Sequence, residues 1–366
     1  MHGKKTLSQL SPYQQGKQTE DIQREYGLEK IVKLSSNENP FGNSSEVSEN
    51  LLPQTSTFNI YPDGHASDLR TEMAKKLHIN EDELVFGNGS DELVQIISRT
   101  FLEPGVNAVM ATPTFPQYKH HATIEGASIK EVPTTSGYHD LDGMLEAIDE
   151  DTRIVWICSP DNPTGTLLPK AAFYNFMDQC PKEVLVILDE AYYEYINPAL
   201  DFDILENRSR YKNIVILRTF SKAYGLAGLR VGYGVMDEAI AAKVNIVRSP
   251  FNTTSITQQA ALLAMHDDQF IEDTVRKNRS TMRDFQVFLD GIGWSYYDSQ
   301  ANFLLIATPI SGTEVSDYLL KNGYIIRPGE LLGYPNTIRV TIGLETDMKQ
   351  LQDLLEQLHL HVNNEV

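Results

Sequence analysis

The segment "TFSKAYGLAGLRVG", Thr219 to Gly232, sets one lysine and one arginine among hydroxyls, glycines and small apolar residues. Lysine favours a solvated surface, yet Lys222 follows "IVILRTF", an apolar run that reads as a buried strand. An amine held in a dry, polar-lined cleft has a lowered pKa and can condense with a carbonyl to form a Schiff base. Thr219, Ser221 and Arg230 beside it are donors of the kind that hold a phosphate. In "GNGSDE", Gly87 and Gly89 permit a tight turn and the close approach of an anion, and Ser90 and Asp91 open a helix with free N–H groups. That turn carries no GxGxxG fingerprint, which argues against a dinucleotide-binding dehydrogenase.

Two further strand-like runs end in polar side chains. Asp189 closes "VLVIL", where a carboxylate needs a cation or hydrogen-bond donors; facing a pyridine nitrogen, it would keep that ring protonated and electron-withdrawing. Tyr192 offers a phenol and Asn162 in "DNPTG" an amide, both suited to a phenolate oxygen on such a ring. Arg327 in "IIRPG" and Arg339 in "TIRVTIG" interrupt apolar runs, and a buried guanidinium without an anion is costly. The two together can form a clamp that takes a phosphate in one half-reaction and a carboxylate in the other.

The elements that must position these residues follow from periodicity. From about Val85, short β-rich runs alternate with helical patterns at 90–103, 115–126, 141–149 and 170–180, the pattern of a mostly parallel sheet covered on both faces. Ligands in such sheets bind beyond the carboxyl ends of the strands, where the polar motifs fall. Long helical patterns at 254–290, 311–322 and 345–360 frame "ANFLLIA", "YIIRPG" and "IRVTIG" in a second, α+β unit. The expected organisation is an N-terminal arm over 1–35, a large α/β domain over 36–250 with a seven-stranded sheet, and a small C-terminal domain over 251–366.

The motifs "SPDNPTG", "LDEAYYEY" and "TFSKAYGLAGLRVG", in that order and spacing, resemble the signature of the fold-type I aminotransferases that depend on pyridoxal phosphate. "LSPYQQGK", "LSSNENPFG", "YPDG", "PTFPQY", "YIIRPG" and "NTIRVTIG" resemble the histidinol-phosphate aminotransferase branch, including forms that also accept aromatic substrates. The resemblance implies that Lys222 carries the cofactor as an aldimine and moves the proton between Cα and C4′. It implies that Asp189 pairs with the pyridinium, that Asn162 and Tyr192 hold O3′ and keep the aldimine pKa low, and that Phe115 stacks on the ring. Gly89, Ser90, Asp91, Thr219, Ser221 and Arg230 would hold the cofactor phosphate, with Tyr61 of "YPDG" reaching that phosphate from a neighbouring subunit of a homodimer. Arg327 and Arg339 would take the substrate's anionic group, joined by Tyr13 from the arm, and Asn37 would line the mouth. The implied reaction is a ping-pong transfer from L-histidinol phosphate to 2-oxoglutarate. Aromatic amino acids are alternative donors, and a threonine-phosphate decarboxylase is the rival of the same fold.

Bulk properties narrow the setting. Over 366 residues, 50 acidic side chains against 31 basic ones give a formal charge of −19, a poor surface for nucleic acid or anionic membrane, so any bound anion must be held locally. A non-enzymatic cofactor-sensing regulator would append a basic DNA-binding module, for which no segment reads. The two cysteines, Cys158 and Cys180, lie in or beside apolar runs and read as small buried hydrophobes in a reducing, cytoplasmic compartment. His120, His121, His359 and His361 lack metal-ligand spacing, and no metal is expected. Neither a signal peptide nor a membrane-length apolar run is read.

Overall fold

The computed structural model describes residues 3–11, 19–51, 58–201 and 204–364. Twelve strands are present among them: β1 (Val32–Lys33), β2 (Leu84–Gly87), β3 (Asn107–Thr112), β4 (Ser128–Pro133), β5 (Thr152–Cys158), β6 (Leu185–Asp189), β7 (Ile214–Thr219), β8 (Gly232–Met236), β9 (Phe303–Ala307), β10 (Tyr324–Ile325), β11 (Arg327–Pro328) and β12 (Thr337–Thr341). Seven form one sheet in the order β2-β8-β7-β6-β5-β3-β4. Its pairs β7-β6, β6-β5, β5-β3 and β3-β4 are parallel, and β8 runs antiparallel to both of its neighbours.

The apolar runs are continuous because each strand buries both faces. On β5, β6 and β7, Val155, Ile157, Val186, Leu188, Ile214 and Ile216 enter one core. The alternating Ile154, Trp156, Leu185, Ile187, Val215 and Leu217 enter the other. At roughly 1.5–3 kcal/mol for each fully buried large apolar side chain, these two cores hold the strand ends rigidly in register.

A three-stranded antiparallel sheet, β11-β12-β9, and the parallel pair β1-β10 form the smaller C-terminal unit. Val32 and Leu34 from the N-terminal segment join its core with Phe285, Leu289, Ile338 and Val340. The helical pattern at 254–290 resolves into two helices, Ser255–Met265 and Asp268–Ile292, because Asp267 caps the second by accepting from the N–H of Phe270. The first of these helices sends Ala260, Ala261, Ala264 and Met265 into the core of the large sheet. We therefore propose that the two units divide near Asp267 rather than at 250/251.

Candidate active site

The carboxyl ends of the strands and the small unit enclose a cleft of about 300 Å³. Lys222, Asp189, Tyr192, Asn162, Phe115, Ser90, Asp91, Thr219, Ser221, Arg230, Asn37, Arg327 and Arg339 all line it. Lys222 lies just beyond β7, partly buried, and its Nζ donates to the Ser36 carbonyl at 3.2 Å. Burial, reinforced by the charge of Arg339, lowers its ammonium to about 8 and makes the free amine accessible near neutrality.

Asp189 ends β6 and is 3% exposed. Its Oδ2 accepts from the Tyr118 hydroxyl at 2.7 Å and its Oδ1 from the Ala191 N–H at 3.1 Å. Burial raises this carboxyl to about 6, against the lowering effect of those two bonds. A buried carboxylate in this state gains from a cationic partner such as a protonated pyridine nitrogen.

Tyr192 follows on the next turn. Its phenol oxygen accepts from Asn37 Nδ2 at 3.0 Å, which leaves its own hydrogen to donate, and burial pushes its pKa up. Asn37 is locked in a left-handed conformation (φ +56°) by reciprocal bonds with the Thr341 hydroxyl. Beyond β5, Asn162 Oδ1 accepts from Arg339 Nη1 at 2.6 Å, so the Nδ2 group of the same amide is the one left to serve another acceptor.

The anion cradle is built from glycine. Gly89 (φ +76°) precedes the helix Ser90–Phe101, whose first N–H groups receive no side-chain cap. Arg230 spans this turn, donating to Ser221 Oγ and to the Asn88 carbonyl, each at 3.2 Å. A Cβ on Gly89 would collide with the Arg230 guanidinium, and one on Gly232 would stand 2.6 Å from the Ser90 nitrogen. A phosphate therefore meets backbone N–H, hydroxyl and guanidinium donors together.

Opposite this cradle, β11 and β12 put Arg327 directly across from Arg339. Arg339 is 6% exposed and its Nη2 donates to the Ser35 carbonyl at 2.7 Å. The Arg327 side chain makes no hydrogen bond or ion pair among the described residues and lines the cleft, so its donors are unspent.

The resemblance places Tyr61 in the site of a neighbouring subunit rather than in this chain's own cleft. Tyr61 is 80% exposed and stacks on Phe251, ring centroids 4.8 Å apart, away from the lining of this chain's own site. Tyr13 lies outside the described residues. Conversely, Tyr118 and Thr114 of "PTFPQY", Ser36 of "LSSNENPFG", and Leu331 and Leu332 belong to the site or its immediate support although none of the five is singled out by the sequence reading. Tyr118, three residues after Phe115, could have been suspected from "PTFPQY". Cys158 is buried as expected but also reaches the lining, and burial raises its thiol. No group of histidine, cysteine and acidic side chains among the described residues could hold a metal.

A covered, mostly parallel sheet with an amine, a carboxylate and an anion cradle at its carboxyl edge defines a fold-type I transferase. Residues 29–358 match the family described as aminotransferase class I and II. The chain belongs to that family, whose enzymes work with pyridoxal 5′-phosphate; the lysine, carboxylate and cradle described here suit that group. It is 57% identical over 358 residues to histidinol-phosphate aminotransferase 2 of Oceanobacillus iheyensis, covering 98% of each chain. A Geobacillus histidinol-phosphate aminotransferase is 50% identical, again over 98% of each. Among solved structures, that of histidinol-phosphate aminotransferase from Sinorhizobium meliloti with pyridoxal 5′-phosphate matches with a TM-score of 0.89 at 25% identity, covering 98% of each chain.

Proposed function

We propose that this aminotransferase moves the amino group of L-histidinol phosphate to 2-oxoglutarate. The observation that carries this reading is the cross-strand arginine pair, Arg327 opposite Arg339, at the mouth of the cleft that holds Lys222. Histidinol phosphate has no α-carboxylate, so its dianionic phosphate needs such a clamp, and the carboxylate of 2-oxoglutarate can use the same donors in the second half-reaction. The relatives named above support the choice of donor.

When bound, pyridoxal phosphate supplies an electron sink for the bond cleaved at the amino-bearing carbon. Around it, Ser90, Asp91, Thr219, Ser221 and Arg230 would bind its phosphate, Asp189 would hold a proton on its ring nitrogen, Asn162 and Tyr192 would donate to its phenolic oxygen, and Phe115 would cover its face. Lys222, with its amine near neutrality, takes and returns the proton at the reacting carbon.

Apolar lining by Phe115, Leu331 and Leu332 favours aromatic amino acids as secondary donors. We further infer a homodimer: Phe58, Ile60 and Tyr61 are each exposed beside the Tyr61–Phe251 stack, and a covering subunit would bury them. A cytoplasmic setting accords with two buried, unpaired cysteines. No helix among the described residues is long and apolar enough to cross a membrane.

Initial rates with histidinol phosphate, phenylalanine and tyrosine, each at several 2-oxoglutarate concentrations, test the reading. Parallel double-reciprocal lines with the highest kcat/KM for histidinol phosphate are expected. A higher kcat/KM for phenylalanine reassigns the donor, and release of carbon dioxide without glutamate reassigns the chemistry.

A further inference from the structure

Directly behind the cofactor-facing residues sits a buried polar cluster that the mechanism above does not use. The side chains of His139 and Asp161 are each 1% exposed and meet at 3.1 Å, His139 Nε2 to Asp161 Oδ1. The same Oδ1 accepts from the Thr114 hydroxyl at 2.7 Å, and Oδ2 accepts from the Thr164 hydroxyl at 3.0 Å. The partner facing His139 Nε2 is a carboxylate, so that nitrogen carries the hydrogen. Its Nδ1 is buried without a protein partner, which leaves Asp161 as the ring's principal polar attachment.

A carboxylate in such a place costs several kcal/mol unless its lone pairs are met, and three donors meet this one. Its main chain is fixed as well: the Asp161 N–H donates to the Thr166 carbonyl at 2.9 Å, and its carbonyl accepts from the Gly165 N–H at 2.7 Å. The Thr166 hydroxyl donates to the Gly137 carbonyl at 2.7 Å, which clamps the turn carrying His139 onto the same segment.

The neighbours in sequence give this cluster its significance. Asp161 immediately precedes Asn162, the amide read as a donor to the cofactor's phenolic oxygen, and Thr114 immediately precedes Phe115, read as the ring's cover. One carboxylate thus joins the ends of two adjacent strands, β3 and β5, that carry the two jaws of the ring site. We propose that His139 and Asp161 are a positioning pair that sets Asn162 and Phe115 against the cofactor ring. Asp161 links the two jaws, and His139 holds the carboxylate in the rotamer that lets it do so. This inference rests on the reading of Asn162 and Phe115 as cofactor contacts.

The test uses the full-length enzyme with three variants. His139→Leu keeps the volume and removes the donor, His139→Gln restores an N–H toward Asp161, and Asn162→Ala removes the amide itself. Two readouts are taken: the pH midpoint of the change in the bound cofactor's visible absorption, and the dissociation constant of pyridoxal phosphate from the apo-protein. A hydrogen bond to the phenolic oxygen favours its charged form, so misplacing Asn162 moves the midpoint by about half to one pH unit. Expected for His139→Leu is a midpoint raised in the same direction as in Asn162→Ala, a dissociation constant raised roughly 3–10-fold, and recovery of both in His139→Gln. A His139→Leu protein with a lower melting temperature but unchanged midpoint and dissociation constant, beside an Asn162→Ala that shifts both, would overturn the positioning role alone. If Asn162→Ala moves neither readout, the cofactor-contact reading fails instead. Should His139→Leu not fold, Asp161→Asn answers the same question, because its single NH2 group replaces one of the two acceptor oxygens and opposes the donor there while the shape is kept.

Discussion

Replacing Arg327 by Gln separates substrate recognition from cofactor binding. The Arg327 side chain has no hydrogen bond or ion pair among the described residues, so its loss orphans no protein group and relieves its like-charge apposition with Arg339 across β11 and β12. Stability should therefore stay within about 0.5 kcal/mol of the parent. What is lost is its part of the anion clamp: a charge-assisted bond is worth about 1.5–3 kcal/mol, or roughly 10–150-fold in affinity at 1.4 kcal/mol per tenfold. The assay is steady-state kinetics with histidinol phosphate, 2-oxoglutarate and phenylalanine, together with the visible spectrum of the bound cofactor. KM for both acidic substrates should rise by that factor while the spectrum is unchanged. Arg339→Gln should raise the same KM values and also perturb the spectrum, because it releases the Asn162 amide and the Ser35 carbonyl. Unchanged KM values for histidinol phosphate and 2-oxoglutarate in Arg327→Gln would refute the clamp.

Other consequences follow from the same geometry. Lys222→Ala should still bind pyridoxal phosphate but support no multiple turnover, as read by glutamate formation. In the apo-protein, the rate of covalent capture of pyridoxal phosphate should rise with pH around a midpoint near 8, followed by stopped-flow absorbance, because burial depresses the Lys222 ammonium; a midpoint near 10.5 would contradict the burial. Asp189 is raised to about 6 against an unfolded carboxyl near 3.8, so the folded apo-protein binds the extra proton and loses stability as pH climbs through that window. Apo-Asp189→Asn should consequently be more stable than its parent at pH 7.5 by about 1–3 kcal/mol, a gain absent at pH 3.5, and should be catalytically impaired; denaturant melts at the two pH values check this. Gly89→Ala, strained at φ +76° and driven into the Arg230 guanidinium, should raise the dissociation constant of pyridoxal phosphate by about tenfold or more, measured by fluorescence titration.

Much of the site was legible because chemistry and strand ends coincide in this fold. Lys222, Asp189 and Asn162 each terminate an apolar run, and a covered parallel sheet brings such ends to one edge whatever the intervening helices do. Side chains acting across elements were harder to read. Arg327 and Arg339 stood out as cations in apolar runs, but their apposition depends on the register of β11 against β12, which no local pattern encodes. Tyr118 presents itself as a helix residue, and only the stacking of two strand ends sets its hydroxyl on Asp189. His139 and Asp161 lie on different crossovers and meet only when β3 and β5 pair. The pattern over 254–290 concealed a break at His266 because apolar residues recur on both sides of it, so periodicity alone ran through Asp267.

The most direct test of the proposed activity is a visible-absorption titration of the purified holoenzyme, first with L-histidinol phosphate and then with 2-oxoglutarate. The band of the Lys222-linked cofactor should be lost on adding the donor and return on adding the oxo acid, with glutamate formed in equal amount. A band that histidinol phosphate leaves untouched, or that disappears and is not restored by 2-oxoglutarate, would contradict it.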